Sequence, residues 1–203
     1  MTSYSKSSLT AIILAGGISS RMGQDKALLN IKGIPLLQRT YTVASDCASV
    51  VYVVTPWIEK YTSILPPSCQ MIQENTPTQG PLVAFSIALT QVKTEWILLL
   101  ACDLPLLTSD VVQQWANFLP SVSDDAIAYL SKQDNLWQPL CGFYRYSCLA
   151  SLQNFIKLNG RSFQGWLSQS NVQHLIVSDP DVLLNCNTPE DFNFITKQLE
   201  NKS

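Results

Sequence analysis

Ala11-Ile12-Ile13-Leu14-Ala15-Gly16-Gly17-Ile18-Ser19-Ser20-Arg21-Met22-Gly23-Gln24-Asp25-Lys26 is the segment that decides the fold. Its β-branched apolar start reads as a buried strand. Paired glycines, two serines, an arginine and a lysine then fill the turn where a strand hands over to a helix. Glycine lacks a Cβ, so the chain turns tightly and a ligand can approach backbone N–H groups. Such a loop, with Arg21 and Lys26 behind it, suits a polyphosphate. It matches neither GxGxxG nor GxxxxGK[ST].

Working outward, apolar runs alternate with helical patterns. Ile34 to Cys47 has helical spacing, with Pro35 tolerated in its first turn. Val50 to Thr55 reads as a strand, and Thr55-Pro56 as the N-cap and first position of a short helix. Cys69 to Gln73 is a further strand, followed by the loop Thr76 to Pro81 and a helix from Leu82 to about Val92. Trp96 to Ala101 is apolar without alternation, as a central parallel strand covered on both faces must be. A helix follows over Ser109 to Phe118. Strands at Asp125 to Leu130 and Leu136 to Tyr144, joined by a turn at Lys132 to Asn135, suit an antiparallel portion. Helices at Ser147 to Leu158 and Phe163 to Ser168 and a strand at Val172 to Val177 complete the pattern before a last helix. Thr188-Pro189-Glu190-Asp191 gives that helix a capping box. The order predicts an α/β, three-layer, Rossmann-like fold with a mostly parallel mixed sheet.

The chain has 203 residues, which suits a single domain spanning 1–203. Its formal net charge of -2 argues against unspecific binding to nucleic acid or to an anionic membrane. Six cysteines form no CxxC pair, so a zinc knuckle or a thioredoxin-like site is not expected and buried free thiols are. The polar start of the chain, Met1 to Thr10, carries no signal-peptide pattern, and a cytoplasmic location is expected. No internal repeat, coiled coil or membrane span stands out.

Ligands in such sheets sit beyond the C-terminal ends of the parallel strands. Three stretches fall there: Gly16 to Lys26, Glu74 to Gly80, and Cys102-Asp103. In the first, the amides of Gly16 and Gly17 suit phosphate oxygens, while Arg21 and Lys26 offset charge on an α-phosphate and a departing pyrophosphate. Asp25 either orients Lys26 or bridges to Arg21 and faces solvent. Asp103 ends an apolar strand, where an unpaired buried carboxylate is costly. It either ligates a hard divalent cation or accepts backbone N–H bonds in the turn before Pro105. Glu74 and the Gly80-Pro81 turn are candidates for positioning a nucleotide. Arg161 either holds an anionic second substrate or is a surface arginine. Asn187 either reaches a metal or phosphate or closes a turn. His174, the sole histidine, is expected to be structural or exposed. No Ser/His/Asp or Cys/His arrangement points to a covalent intermediate.

These residues resemble the signature of the molybdenum cofactor guanylyltransferases. The likeness begins with Leu14-Ala15-Gly16-Gly17-x-Ser19-x-Arg21-Met22-Gly23-x-Asp25-Lys26-Ala27-x-Leu29. It continues at Gly80-Pro81-Leu82, Cys102-Asp103-Leu104-Pro105, Gln138 to Tyr144, and Asn187-Thr188-Pro189-Glu190-Asp191. The resemblance implies a nucleotidyltransferase that joins GMP from GTP to molybdopterin or molybdenum cofactor, with Mg2+ required and pyrophosphate leaving. It implies a nucleotide-binding half over about 9–120 and an acceptor-binding half over about 121–200. Leu14, Ala15, Gly16, Gly17, Lys26, Glu74, Gly80, Pro81 and Asp103 would bind the nucleotide, and Arg161 and Asn187 the acceptor. Arg21, Lys26 and Asp103 would be catalytic, and Asp103 would ligate the metal. A molybdenum insertase, cofactor chaperones or acceptor molybdoenzymes are the protein partners it suggests. Where the family continues Gly-Pro-Leu with Ala-Gly, this chain has Val83-Ala84, and Glu74 replaces a shorter aspartate. The alternatives are a cytidylyltransferase, a sugar- or isoprenoid-phosphate nucleotidyltransferase, and a noncatalytic nucleotide-binding protein that assists cofactor insertion.

Overall fold

The computed structural model describes residues 4–17, 25–75 and 79–201. Its elements are β1 (Leu9–Leu14), β2 (Asn30–Ile31), β3 (Ile34–Pro35), α1 (Leu36–Cys47), β4 (Val50–Thr55), α2 (Ile58–Tyr61), β5 (Gln70–Gln73), α3 (Pro81–Leu89) and β6 (Trp96–Ala101). They continue with α4 (Ser109–Ala116), β7 (Ala128–Gln133), β8 (Leu136–Arg145), α5 (Cys148–Lys157), α6 (Phe163–Leu167), β9 (Val172–His174) and α7 (Pro189–Asn201).

Seven strands form one sheet in the order β5-β4-β1-β6-β8-β7-β9. Strands β5, β4, β1 and β6 are mutually parallel, and β8 alone runs against its neighbours β6 and β7. The sheet is therefore mostly parallel and mixed, as the sequence predicts. Side chains of β1 and β6 alternate between two cores. Leu9, Ala11, Ile13, Trp96, Leu98 and Leu100 pack with Leu37, Ala44, Val112 and Trp115 of α1 and α4. Ile12, Leu14, Ile97 and Leu99 pack with Leu82, Phe85, Leu152, Phe163 and Trp166 of α3, α5 and α6. Burial on both faces explains the uninterrupted apolar runs, and the helices on either side make three layers. A satellite core joins Leu29, Ile31 and Leu36 to Leu106, Cys186 and Ile195 of α7.

Four local readings need correction. Ile34-Pro35 is not the first turn of α1 but the second strand of a small hairpin, with Ile31 opposite Ile34. Its turn is Lys32-Gly33, both at positive φ, as a two-residue hairpin loop requires. Thr55 does not cap α2. It ends β4, and its hydroxyl donates to the Ala15 carbonyl at 3.0 Å and accepts the Trp57 N–H at 3.1 Å. The β7–β8 turn is tighter than Lys132 to Asn135, because Asp134 and Asn135 alone take positive φ and both strands run up to them. Strand β9 ends at His174, which is exposed.

Strand β8 carries one irregularity that matters for the site. Leu130 faces Gly142 whereas Lys132 faces Trp137, so two steps along β7 correspond to five along β8. The bulge contains Pro139, which has no N–H to give a ladder. The Tyr144 hydroxyl fixes it by donating to the Pro139 carbonyl at 2.8 Å. Bulges of this kind re-aim side chains beside active sites, and Leu140 is the side chain re-aimed here.

Candidate active site

A cavity of about 400 Å³ opens at the C-terminal ends of β1 and β6. Leu14, Ala15, Gly16, Gly17, Lys26, Glu74, Gly80, Pro81 and Asp103, all expected from the sequence, line it. Asp25, Ala84, Cys102 and Leu140 are among its further walls. The topology thus brings together segments that lie far apart in the chain.

Each wall has a local cause. The Ala15 N–H donates to the Val54 carbonyl at 2.9 Å, and Thr55 grips the Ala15 carbonyl, so the start of the glycine loop is pinned to the end of β4. Glycine at position 16 is required by close approach, since a Cβ there would lie 2.1 Å from Glu74 Oε2. At Gly17 a Cβ would meet nothing within 4 Å among the described residues. Gly80 sits at φ 84, a left-handed conformation glycine adopts without strain, and it precedes Pro81 at the start of α3. Glu74 is buried, and burial raises its carboxyl pKa above the ordinary value.

The chemistry concentrates on three side chains. Lys26 Nζ donates to Asn187 Oδ1 at 2.5 Å and lies 3.5 Å from Asp103 Oδ2. The Asp103 carbonyl accepts the Cys186 N–H at 2.9 Å, which ties the segment carrying Asn187 directly to the turn carrying Asp103. The satellite core repeats this tie, because Leu29, Leu106 and Cys186 each lie within three residues of Lys26, Asp103 or Asn187. Beyond it the predicted capping box forms. Asp191 accepts the Asn187 and Thr188 N–H groups at 2.9 Å each, and the Thr188 hydroxyl accepts the Asp191 N–H at 3.1 Å.

Asp103 Oδ1 is buried and has no hydrogen-bond partner among the described residues. Burial raises the Asp103 pKa and the neighbouring Lys26 pulls it back, with burial the larger effect. A carboxylate oxygen left unpartnered in a cavity wall suits a hard divalent cation. The described residues hold no group of three or more His, Cys, Asp or Glu side chains able to cage a metal.

Of the alternatives left open for Asp25, a bridge to Arg21 falls outside the described residues, and the carboxylate caps the turn that carries Lys26. Its Oδ1 accepts the Ala27 N–H at 3.0 Å, and its Oδ2 takes Tyr61 Oη at 2.8 Å and Lys60 Nζ at 2.6 Å. Arg21 lies outside the described residues. The structure does not bring Arg161 to the cavity: its guanidinium donates to the carbonyls of Ile156 and Gly160 at 2.9 and 2.7 Å, at the end of α5. There Asn159 at φ 64 and the N–H bonds from Asn159 to Ile156 and from Gly160 to Phe155 complete a Schellman cap. Cys102, placed by the sequence both among the buried thiols and in a strand-end stretch, is a cavity wall whose pKa burial pushes up to about 12.

A family model for the MobA-like NTP transferase domain matches residues 11–174, which contain every strand of the large sheet except the first two residues of β1. The chain belongs to the MobA-like NTP transferase family. A relative from Trichormus variabilis named "probable molybdenum cofactor guanylyltransferase" is 53% identical over 195 residues, covering 96% of this chain and 94% of its own. A molybdenum cofactor guanylyltransferase of Vibrio atlanticus is 26% identical over 184 residues, covering 89% and 91%. The molybdopterin-guanine dinucleotide biosynthesis protein A of Archaeoglobus fulgidus has a similar structure, with a TM-score of 0.79 at 20% identity over 96% of this chain and 100% of that one. At that identity the likeness speaks to the fold alone. This MobA-like chain therefore shares both fold and near full-length sequence with nucleotidyltransferases.

Proposed function

We propose that this chain is a molybdenum cofactor guanylyltransferase, transferring GMP from GTP to molybdopterin or its molybdenum form and releasing pyrophosphate. The observation that carries the reading is the meeting of Lys26 and Asp103 in one cavity, with Asn187 hydrogen-bonded to Lys26, in a chain 53% identical to a relative of that name. The nucleotide occupies the cavity between the Leu14–Gly17 backbone and the Glu74, Gly80 and Pro81 wall. Ala84 stands where the resemblance places glycine, so its methyl group narrows that wall.

Lys26 faces the phosphates and, with Arg21 in the role the sequence gives it, offsets charge that builds as the α-phosphoryl group changes partners. Asp103 would hold Mg2+, and Asn187 holds Lys26 beside it. Bound there, Mg2+ supplies Lewis-acid polarisation of the phosphates. The acceptor's terminal phosphate attacks the α-phosphorus, its new P–O bond forming as the bond to pyrophosphate breaks. Cys102 is no rival nucleophile, because its raised pKa keeps it a thiol at neutral pH. Direct transfer without a covalent enzyme intermediate follows.

Asn187 completes the acceptor side next to Lys26. The nucleotide-binding half (about 9–120) and the acceptor-binding half (about 121–200) work as one domain in the cytoplasm, where an insertase, a chaperone or an acceptor molybdoenzyme takes the product. Among the described residues no helix is long and apolar enough to cross a membrane. The test is pyrophosphate release with Mg2+, molybdopterin and GTP, CTP, ATP or UTP in turn. Release with GTP alone supports the reading. Release with CTP alone makes the chain a cytidylyltransferase, and nucleotide binding without release refutes catalysis on this acceptor.

A further inference from the structure

We propose that Tyr61 is a positioning residue for Lys26, acting through Asp25. Lys26 opens a single helical turn, Lys26–Leu28, which is too short to hold its own register. Asp25 caps that turn by accepting the Ala27 N–H at 3.0 Å on one carboxylate oxygen. The other oxygen is held from α2, by the Tyr61 hydroxyl at 2.8 Å and Lys60 Nζ at 2.6 Å.

The two partners are not equivalent. Lys60 leaves 45% of its side chain exposed, so its ion pair is screened by solvent. Tyr61 is fully buried in the core with Leu37 and Tyr41, and its ring cannot follow a moving loop. Its phenol pKa is raised by burial and then by Asp25, so it remains a donor across the working pH range. With both oxygens engaged, Asp25 does not turn back to neutralise Lys26. The Lys26 ammonium is left to reach Asn187 and Asp103 instead. The sheet and α2 thereby set the position of a charge whose own side chain is long and flexible.

The effect on rate rests on the nucleotidyl-transfer reading; the effect on Lys26 does not. The experiment is a double-mutant cycle of Tyr61→Phe with Lys26→Ala, assayed by transfer rate. Lys26 acylation by an amine-directed ester is followed in parallel, by peptide mass in substrate-free protein. Tyr61→Phe lowers kcat about tenfold when Lys26 is present, the scale of one hydrogen bond to a charged group. In the Lys26→Ala background it lowers kcat less than about twofold, because the residue it positions is gone. Lys26 acylation rises in Tyr61→Phe as the turn loosens. Asp25→Asn, whose single carbonyl oxygen cannot take the places of both carboxylate oxygens on the Ala27 N–H and Tyr61, repeats the coupling and serves if Tyr61→Phe does not fold. Equal losses in both backgrounds, or unchanged kcat and acylation, overturn the proposal. An inactive wild type whose Lys26 still responds to Tyr61→Phe refutes the transfer reading and leaves the positioning role standing.

Discussion

Asp103→Asn separates what the carboxylate does for function from what it costs the fold. The substitution keeps shape and removes charge. Among the described residues Asp103 Oδ1 has no partner, and Oδ2 faces Lys26 at 3.5 Å, so two opposed effects compete. Loss of the Lys26 pair destabilises, whereas loss of a desolvated charge stabilises. The raised pKa decides between them, since burial outweighs Lys26. A carboxyl group whose folded pKa lies above its unfolded value binds its proton more tightly in the native state. Its destabilising contribution is absent below the unfolded pKa, about 3.9, and grows as pH rises toward the folded pKa. The neutral amide should therefore hold or raise the Tm of metal-free protein at pH 7.5. The expected gain is about 2 °C, the scale of ~1 kcal/mol in a chain of this size. Lys26 keeps its bond to Asn187, which limits the loss on the other side. Transfer behaves oppositely. Removing a carboxylate that holds a Lewis acid costs several kcal/mol of transition-state stabilisation, on the order of a thousandfold in kcat. Differential scanning calorimetry without metal and a magnesium titration of pyrophosphate release read the two halves. A Tm drop of several degrees, or a titration curve and rate matching wild type, would refute the reasoning.

Other perturbations probe the remaining walls. Lys26→Ala removes the cation that lowers the Asp103 pKa, so the Asp103 carboxyl of the metal-free protein titrates at higher pH by NMR while kcat falls. A pH series that shows no shift separates the two residues functionally. Gly16→Ala forces a Cβ against Glu74 Oε2 and should cost about 1–3 kcal/mol of stability. Glu74→Ala in the same chain should recover most of that loss in thermal unfolding. Ala84→Leu fills part of the cavity and should weaken GTP binding at least about tenfold by calorimetry while α3 still forms, leucine being a good helix former. Arg161→Ala removes an exposed helix cap and should change the KM for molybdopterin less than about twofold, with a stability loss below ~1 kcal/mol.

What the sequence disclosed follows the range of the forces involved. The apolar runs of β1 and β6 report burial on two faces, which is a local signal, and both strands form. Strand ends then fix where Gly16, Glu74, Gly80 and Asp103 meet, since a parallel sheet gathers its C-terminal loops. The β2–β3 hairpin was legible in Lys32-Gly33, but Pro35 beside a helical pattern favoured the longer helix. Thr55-Pro56 has the chemistry of a helix cap, yet the hydroxyl finds a nearer partner across the sheet in Ala15. The β8 bulge depends on cross-strand register, which spacing along one strand does not encode. Pro139 was its one local mark. Asp25 meets Tyr61 across 36 positions, and Lys26 meets Asn187 across 161, so neither pairing has a short-range signature. Arg161 reads as an anion binder from its neighbours Asn159-Gly160, although those residues are the C-cap it reinforces.

The most direct test of the central claim follows the transferred group itself. GTP labelled at the α-phosphate is incubated with the protein, Mg2+ and molybdopterin, and the pterin product is isolated and weighed by mass spectrometry. The account predicts that the α-label enters the pterin as one GMP unit, and that Asp103→Asn all but abolishes its transfer. Label recovered only in free GMP or unreacted GTP, or an adduct that forms equally well with Asp103→Asn, would contradict it.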